Sequence, residues 1–452
     1  NMGAAGLATF NAGVTSGGTI IASAGVYTGD GNLYGVEAGV VIRDSGGREI
    51  ATFNDTGLGT SNLAMGINAG NSIASGGNYN TVIGDEAGTA ISTGDNNTFV
   101  GYASGDAITT GGGNVASGYQ ALTTDTLGSQ SVAIGYRTLA NQNFDSATNS
   151  ENTAVGYAAG VSITTGTANT LLGNVAGSSI TTGTDNVAFG KGALGAEDTG
   201  SASVAIGKEA LRDQDVGTVN SNNTAVGFEC GKVVTSGLQN TLIGGLAGHA
   251  LTDADFNVAI GYTALSTDEL GSRSTAIGYA ALLAQSNSSA ADANNTAVGY
   301  IAGAAITSGY ENTFVGAEAG DGTDDGQGCV AVGYLSLSAN CGDDNVAIGE
   351  QALKLCTGSR NTSIGQASGV AVTSGSNNIF LGHDAGRTGS PGGNITTADN
   401  ILSLGDENIA TANIQVALTV ASDQRDKTDF ADLALGLNFV KDLKPVTYKW
   451  DK

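Results

Sequence analysis

The chain has 452 residues, 72 of them Gly and only 13 % charged, with 42 acidic against 17 basic residues for a net charge of −25. Glycine at more than twice its ordinary share, without a G-X-Y period and with two prolines, is not collagen, and an apolar share of 40 % is not a disordered composition. A pI near 4.1 argues against nucleic acid as a partner, and the absence of any run of about 18 apolar residues argues against a membrane span.

Residues 1–58 stand outside the pattern that follows. They read as short strands, at Thr19 to Ala22, Val40 to Arg43 and Glu49 to Phe53, separated by Gly/Asp turns. The chain opens at Asn1 without a start methionine or a signal-like segment, so it is expected to be a fragment.

Residues 59–405 are an internal repeat. A pentapeptide of the form NTAVG, NVAIG or SVAIG recurs, mostly every 17 residues, with closing glycines from Gly66 through Gly156, Gly227 and Gly299 to Gly382 and a variant ending at Gly405. Longer steps, Gly135 to Gly156, Gly207 to Gly227 and Gly278 to Gly299, return the same phase every 71 or 72 residues. Within each block two units continue as xAG (Ala159-Gly160, Ala176-Gly177) and two as xAL (Ala193-Leu194, Ala210-Leu211), which points to duplication of a four-unit block. Each unit reads as two short strands and two turns: the pentapeptide, and seven residues past its Gly an ITTG-like segment around Ile91, Ile108, Ile163, Ile180, Val234, Ile306 or Val372. Such strands bury a face only by stacking, which gives an all-β, parallel β-roll or β-solenoid. At a strand spacing of ~4.8 Å, about 20 coils make a rod of roughly 95 Å. The middle residue of the pentapeptide is most often Ala, so the interior is expected to be thin and side-by-side association to compensate.

These units, from about Ser61 to Gly405, resemble the head repeats of trimeric autotransporter adhesins, which are left-handed parallel β-rolls. The NTAVGYxAG form also resembles the shafts of bacteriophage tail fibres. The resemblance implies a homotrimeric fibre; the 17-residue unit is longer than the usual adhesin repeat.

Residues 406–421 form a connector, and the last 31 residues change composition. They hold six of the 17 basic residues and the only Trp, Trp450. Phe430, Leu433, Leu437 and Val440 are spaced 3, 4, 3, a helical seam suited to self-association, with Thr428 as N-cap. Ser422-Asp423, Arg425, Lys427 and the closing LKPVTYKW resemble the start of the endosialidase-type intramolecular chaperone of phage tail fibres and tailspikes. That resemblance implies a segment, 422–452, that trimerises the chain, assists folding and cuts itself off. The implied scissile bond is Ala421-Ser422, with Ser422 as nucleophile and Asp423 as its partner, a hydroxyl beside a strained peptide assisted by a carboxylate. The chain stops at Lys452, where the family's domain continues. An ordinary strand-to-helix junction capped by Ser-Asp is the plainer alternative.

Eight of 13 tyrosines follow a repeat Gly directly: Tyr102, Tyr119, Tyr136, Tyr157, Tyr262, Tyr279, Tyr300 and Tyr334, with Phe228 in the same slot. This column reads either as a receptor surface that stacks on sugar rings or as a structural ladder along a roll edge or subunit seam. Asn opens 15 of the 19 regular pentapeptides, with Ser131, Ser203, Ser274 and Cys329 in the others, and stacked amides are expected to be structural. The inserts Asn141 to Glu151, Gln214 to Asn222 and Gln285 to Asn294 fall once per block and read as projecting loops for recognition or as neutral decoration. His249 and His383 read as surface turn residues, Asp321 to Gln327 as a solvated acidic turn, and Cys341 and Cys356 as candidates to meet on adjacent coils, either as a disulfide or as free thiols.

No catalytic motif, cofactor or metal site is expected, and a thin roll offers no pocket for glycan cleavage. Together with these absences, the resemblances imply a non-enzymatic phage tail fibre in the virion tail. Its partners would be its own copies, other tail proteins and a host-surface glycan or protein receptor. A bacterial trimeric surface adhesin is the alternative, and a polysaccharide-degrading tailspike a third.

Overall fold

The computed structural model describes residues 59–287, 292–411 and 413, together with the backbone of Val40–Arg43 and Glu49–Phe53. The expected strand at Thr19 to Ala22, most of the 406–421 connector and the helical seam of 422–452 lie outside the described residues. The chain divides into two units, residues 1–407 and 408–452.

The first unit is a parallel β-solenoid. Strands β1 (Val40–Arg43) and β2 (Glu49–Phe53) form an antiparallel pair, and β2 pairs antiparallel with the first coil strand, β3 (Leu63–Met65). From β3 onward every coil gives one three-residue strand to a single 22-stranded sheet, ending at Leu402–Leu404. Neighbouring coil strands are parallel and in register: Ala154 faces Ala133 on one side and Leu171 on the other.

Each coil gives one strand to this sheet, where the sequence suggests two, and among the described residues only Gly128–Ser129 and Thr148–Asn149 form a further, two-residue strand pair. The ITTG-like segment still bonds to the next coil, as in Thr164 N–H to Thr181 C=O at 2.9 Å, but as isolated contacts within turns. The backbone around it leaves the β region too often for a ladder: Ala158, Ala168, Val175 and Asp185 all have φ between 51° and 58°. The glycine closing the strand cannot be replaced. Gly156 has φ +138°, and a Cβ there would lie 2.3 Å from the carbonyl oxygen of Gly173 in the next coil.

The middle residue of each strand points inward and the two flanking residues outward, as in the exposed–buried–exposed pattern of Thr170–Leu172. The xAG and xAL forms are two ways of filling the same small interior. In xAG coils Ile163 or Ile180, three residues past Gly160 or Gly177, fills the corner; a Cβ on Gly160 would lie 2.8 Å from Leu171 and 2.9 Å from Leu139. In xAL coils the Leu itself fills the space. Leu194 and Leu211 are fully buried at φ 51° and 46°. The left-handed backbone costs roughly 1–2 kcal/mol per residue, which burying a Leu side chain offsets at about 1.5–3 kcal/mol. The corner residue then becomes polar: Asp125, Gln142, Glu197, Gln214, Asp268 and Gln285, all buried.

Gly160→Leu overpacks a filled corner and is expected to destabilise by about 1–3 kcal/mol. Leu194→Gly relieves the backbone but opens a cavity, for an expected loss of about 2–5 kcal/mol. Denaturant midpoints check both, and a neutral Gly160→Leu would disprove the volume exchange.

Candidate functional site

The outward face of the sheet is built by strand alternation. The third strand residue is apolar in all coil strands but one, that of Ser117, and in-register stacking joins these residues into one row along the solenoid. Met65, Ile134, Phe189, Ile364 and Leu404 on this row are between 40 % and 54 % exposed. The alternation that buries Ala154 turns Val155 outward, so the Ile or Val at the fourth pentapeptide position is the signal for this face.

The tyrosine column borders that row, one residue past each turn glycine. All eight tyrosines are exposed, from 43 % at Tyr136 to 54 % at Tyr157. Tyr102, Tyr119, Tyr136 and Tyr157 stack in succession with ring centroids 5.3, 5.3 and 5.1 Å apart. Tyr262, Tyr279 and Tyr300 form a second run at 5.9 and 5.4 Å. Within a run the rings cover one another's faces, so edges and hydroxyls meet solvent and open faces remain at the ends. Glu86, which accepts a hydrogen bond from Tyr102, raises that phenol above its ordinary value.

Between the two runs the slot carries Asn174, Lys191, Lys208, Phe228 and Gly245. Lys208 Nζ lies 5.0 Å from the Phe228 ring centre, and Lys232 sits between Glu209 and Glu229 at 2.9 and 3.1 Å. Lys232 and Lys208 hold the Glu209 carboxyl down at about 2. These cations are matched by acids on adjoining coils. His249 approaches Glu229 at 3.7 Å and His383 approaches Asp406 at 3.4 Å, both at turns.

The asparagines form a buried ladder. Asn169 N–H donates to Asn152 Oδ1 at 2.9 Å, and Asn169 Nδ2 donates to Gly183 C=O at 2.9 Å. Where Ser replaces Asn, the corner glutamine closes the gap. Gln142 Nε2 donates to Ser131 Oγ at 2.8 Å and to Asp125 Oδ2 at 2.6 Å, while its Oε1 accepts from Asn152 Nδ2 at 2.9 Å. Glu197, Gln214, Ser203 and Asn223 repeat this arrangement, with contacts of 2.8, 2.7 and 2.9 Å, and so do Asp268, Gln285, Ser274 and Asn295. Sequence reasoning missed these clusters. Their signal is an acid in the ITTG slot once per block, followed 17 residues on by Gln.

A buried glutamine, Gln142, Gln214 or Gln285, thus stands at or next to the start of each insert, and part of each bridges the preceding coil. Gly128–Ser129 pairs in parallel with Thr148–Asn149, and Ser201 and Ser272 bridge Asn220 and Asp292. In the acidic turn, Thr323 is buried and so is one carboxylate oxygen of Asp321, whose carboxyl burial raises. The thiols brought together are Cys329 and Cys341, Sγ to Sγ 3.7 Å, rather than a bonded Cys341–Cys356 pair, and all four cysteines are free. Among the described residues no group of three or more His, Cys, Asp or Glu is placed to hold a metal ion, and no helix is long and apolar enough to cross a membrane. Ser422 and Asp423 lie outside the described residues.

Gln214→Leu strands the Glu197 carboxylate and the Asn223 amide in the interior, for an expected loss of about 3 kcal/mol or more by chemical denaturation. Burial raises the carboxyls of Asp125 and Glu197, against hydrogen bonds from Gln142 and Gly128, and from Gln214 and Gly200, that lower them. A carboxyl raised in the folded state stabilises fully below its unfolded value, near 4, and loses that contribution as pH rises through the folded value. The melting temperature of the wild type relative to Glu197→Gln is therefore expected to rise as pH falls from about 7 towards 4. A difference independent of pH would contradict a titrating Glu197.

No curated protein matches the chain by sequence. The model of the family described as chaperone of endosialidase matches residues 422–452, the segment that starts at Ser422.

Proposed function

We propose that the chain is the non-catalytic shaft of a homotrimeric phage tail fibre, carried in the virion tail, that attaches to a glycan or protein receptor on the host surface. The observation that carries this reading is a chaperone-of-endosialidase match, over residues 422–452, on a chain whose preceding residues are a β-solenoid. A solenoid supplies reach and repetition, and repeated weak contacts add up through effective concentration rather than through any one pocket.

The outward apolar row supports the trimer. A stripe of Ile, Val and Leu running the length of a monomer is a contact surface, and a copy of the same chain offers the same stripe at the same pitch. Exposed tyrosines beside the stripe offer hydroxyls and ring edges at a spacing of 5.1 to 5.9 Å, suited to a polymer of hydroxylated rings. The 422–452 segment would bring three chains into register and then cut at Ala421-Ser422. In that step Ser422 Oγ attacks the Ala421 carbonyl carbon as Asp423 takes its proton; the Ala421–Ser422 C–N bond breaks with that proton passing to the Ser422 amine; and water hydrolyses the resulting ester to the Ala421 carboxylate and the Ser422 hydroxyl.

Light scattering of the soluble chain is expected to give three times the protomer mass, and Leu172→Asp with Ile243→Asp to give a monomer with an unchanged β-type circular dichroism spectrum. A wild-type monomer would remove the trimer. Replacing Tyr102, Tyr119, Tyr136 and Tyr157 together by Ala is expected to abolish attachment to host cells while leaving the mass unchanged; unimpaired attachment would remove the tyrosine column from the receptor site. In a chain carrying the whole C-terminal domain, Ser422→Ala is expected to remain uncut at Ala421-Ser422.

A further inference from the structure

Three of the four blocks close their asparagine ladder in the same way: an acid in one coil, then a glutamine in the next coil's corner, with a serine opening that second coil. The glutamine and the serine are always in contact, at 2.8 Å for Gln142–Ser131, 2.7 Å for Gln214–Ser203 and 3.0 Å for Gln285–Ser274. The solenoid therefore places the opening position and the corner of one coil against each other, 11 residues apart in these coils and 12 apart for Cys329 and Cys341.

In the fourth block the corners that hold acid and glutamine elsewhere hold Cys341 and Cys356, and Asn345 stands at the serine position. Cys329 opens the Cys341 coil, where the acid coils carry Asn114, Asn186 and Asn257, and its N–H donates to Asn312 Oδ1 at 2.9 Å. Cys341 occupies the corner, and the two sulfurs lie 3.7 Å apart. Thr323, in the corner of the preceding coil where other blocks carry Ile108, Ile180 and Leu251, has its Oγ1 3.3 Å from Cys341 Sγ. The pair does not reproduce the polar bridge. Thiols are weak donors and acceptors, and Asn345, which opens the next coil, donates to the carbonyls of Gly342 and Gly358 at 2.7 and 2.8 Å.

We propose that Cys329 and Cys341 are a disulfide-forming pair that, on oxidation, links the strand and the corner of one coil, while Cys356 and Cys230 stay reduced. Cys356 is one coil further on, and its thiol is engaged elsewhere, accepting from Asn361 Nδ2 at 3.3 Å and donating to Gly358 C=O at 3.7 Å. Burial pushes the Cys356 thiol up to about 11 and the Cys230 thiol up to about 12. Cys341 is held the other way, below its ordinary value, by the hydrogen bond from Cys329, which makes it the attacking thiolate. With oxidised glutathione as oxidant, Cys341 sulfur attacks one glutathione sulfur and expels the other glutathione as thiol. Cys329 sulfur then attacks Cys341 sulfur in the mixed disulfide and expels the second. Two protein thiols are oxidised, one glutathione disulfide is reduced to two thiols, and the protons of the protein thiols end on those thiols.

Both sulfurs are buried, so the reaction needs the coil to open or to be still folding. The full chain is incubated folded with oxidised glutathione, and in parallel refolded in its presence, then denatured, alkylated and mapped by mass spectrometry. The expected result is one crosslinked peptide pair containing Cys329 and Cys341, with Cys230 and Cys356 alkylated, in the refolded sample at least. Cys356→Ser is expected to leave that crosslink intact. Cys329→Ser is expected to leave Cys341 alkylated, and its circular dichroism spectrum establishes that the solenoid has formed. Four alkylated cysteines in both wild-type samples, or a dominant Cys341–Cys356 crosslink, would overturn the proposal.

Discussion

The structure depends on one constraint: every residue of a coil sits on its own counterpart in the next. Parallel, in-register pairing carries each strand residue onto the equivalent strand residue, as Val187, Ala188 and Phe189 onto Val204, Ala205 and Ile206. Only groups that tolerate their own kind at about 4.8 Å survive at such positions. Amides do so well, since each has both donor and acceptor, and the asparagine ladder is the result. A carboxylate does not. Buried acids accordingly occur once per block, so that Asp125 lies between Ile108 and Gln142 in its column rather than against another acid.

The four-coil period follows from the same constraint acting on volume. Two coils in succession place aliphatic residues in the corner and Gly beside it, and two place Leu at the second site and polar residues in the corner. The large strand residues Phe99, Leu171, Leu242 and Phe314 belong to coils of the first kind. The polar pair in the other two coils satisfies itself, acid to amide, and needs the serine because a full asparagine side chain there would compete for the space the glutamine amide takes. Acid, glutamine and serine thus form one unit, and a block missing one of them changes all three, as the fourth block does with Cys341, Cys356 and Asn345.

The solenoid was legible in the sequence because period and register coincide in a stacked fold: counting residues between glycines is counting coils. The single strand per coil was not legible, since the Ile-Thr-Thr-Gly run has the composition of a strand and only backbone angles near the left-handed region around it break the ladder. The buried Asp–Gln–Ser clusters were hidden for a related reason. A charged residue in a Gly-rich loop suggests surface, and its burial becomes visible only when column positions are compared across coils. The tyrosine column was plain as spacing, but that its rings stack on each other required the turn geometry that places Tyr119 over Tyr102.

In-register stacking also amplifies whatever faces outward. One valine or isoleucine on the outside of an isolated strand is ordinary, yet repeated without rotation along the coils it becomes a continuous hydrophobic seam beside a seam of aromatic rings. The chain has few means of covering it alone: coil strands are three residues long, and the strand faces carry Thr, Val and Ile rather than charge. Among the described residues the charged side chains of the coils lie in turns and corners. In the trimer proposed above, repulsion among those acidic edges and attraction between the uncharged seams would favour one mode of association, seam against seam with the turns outermost, and would disfavour indiscriminate packing of one rod on another.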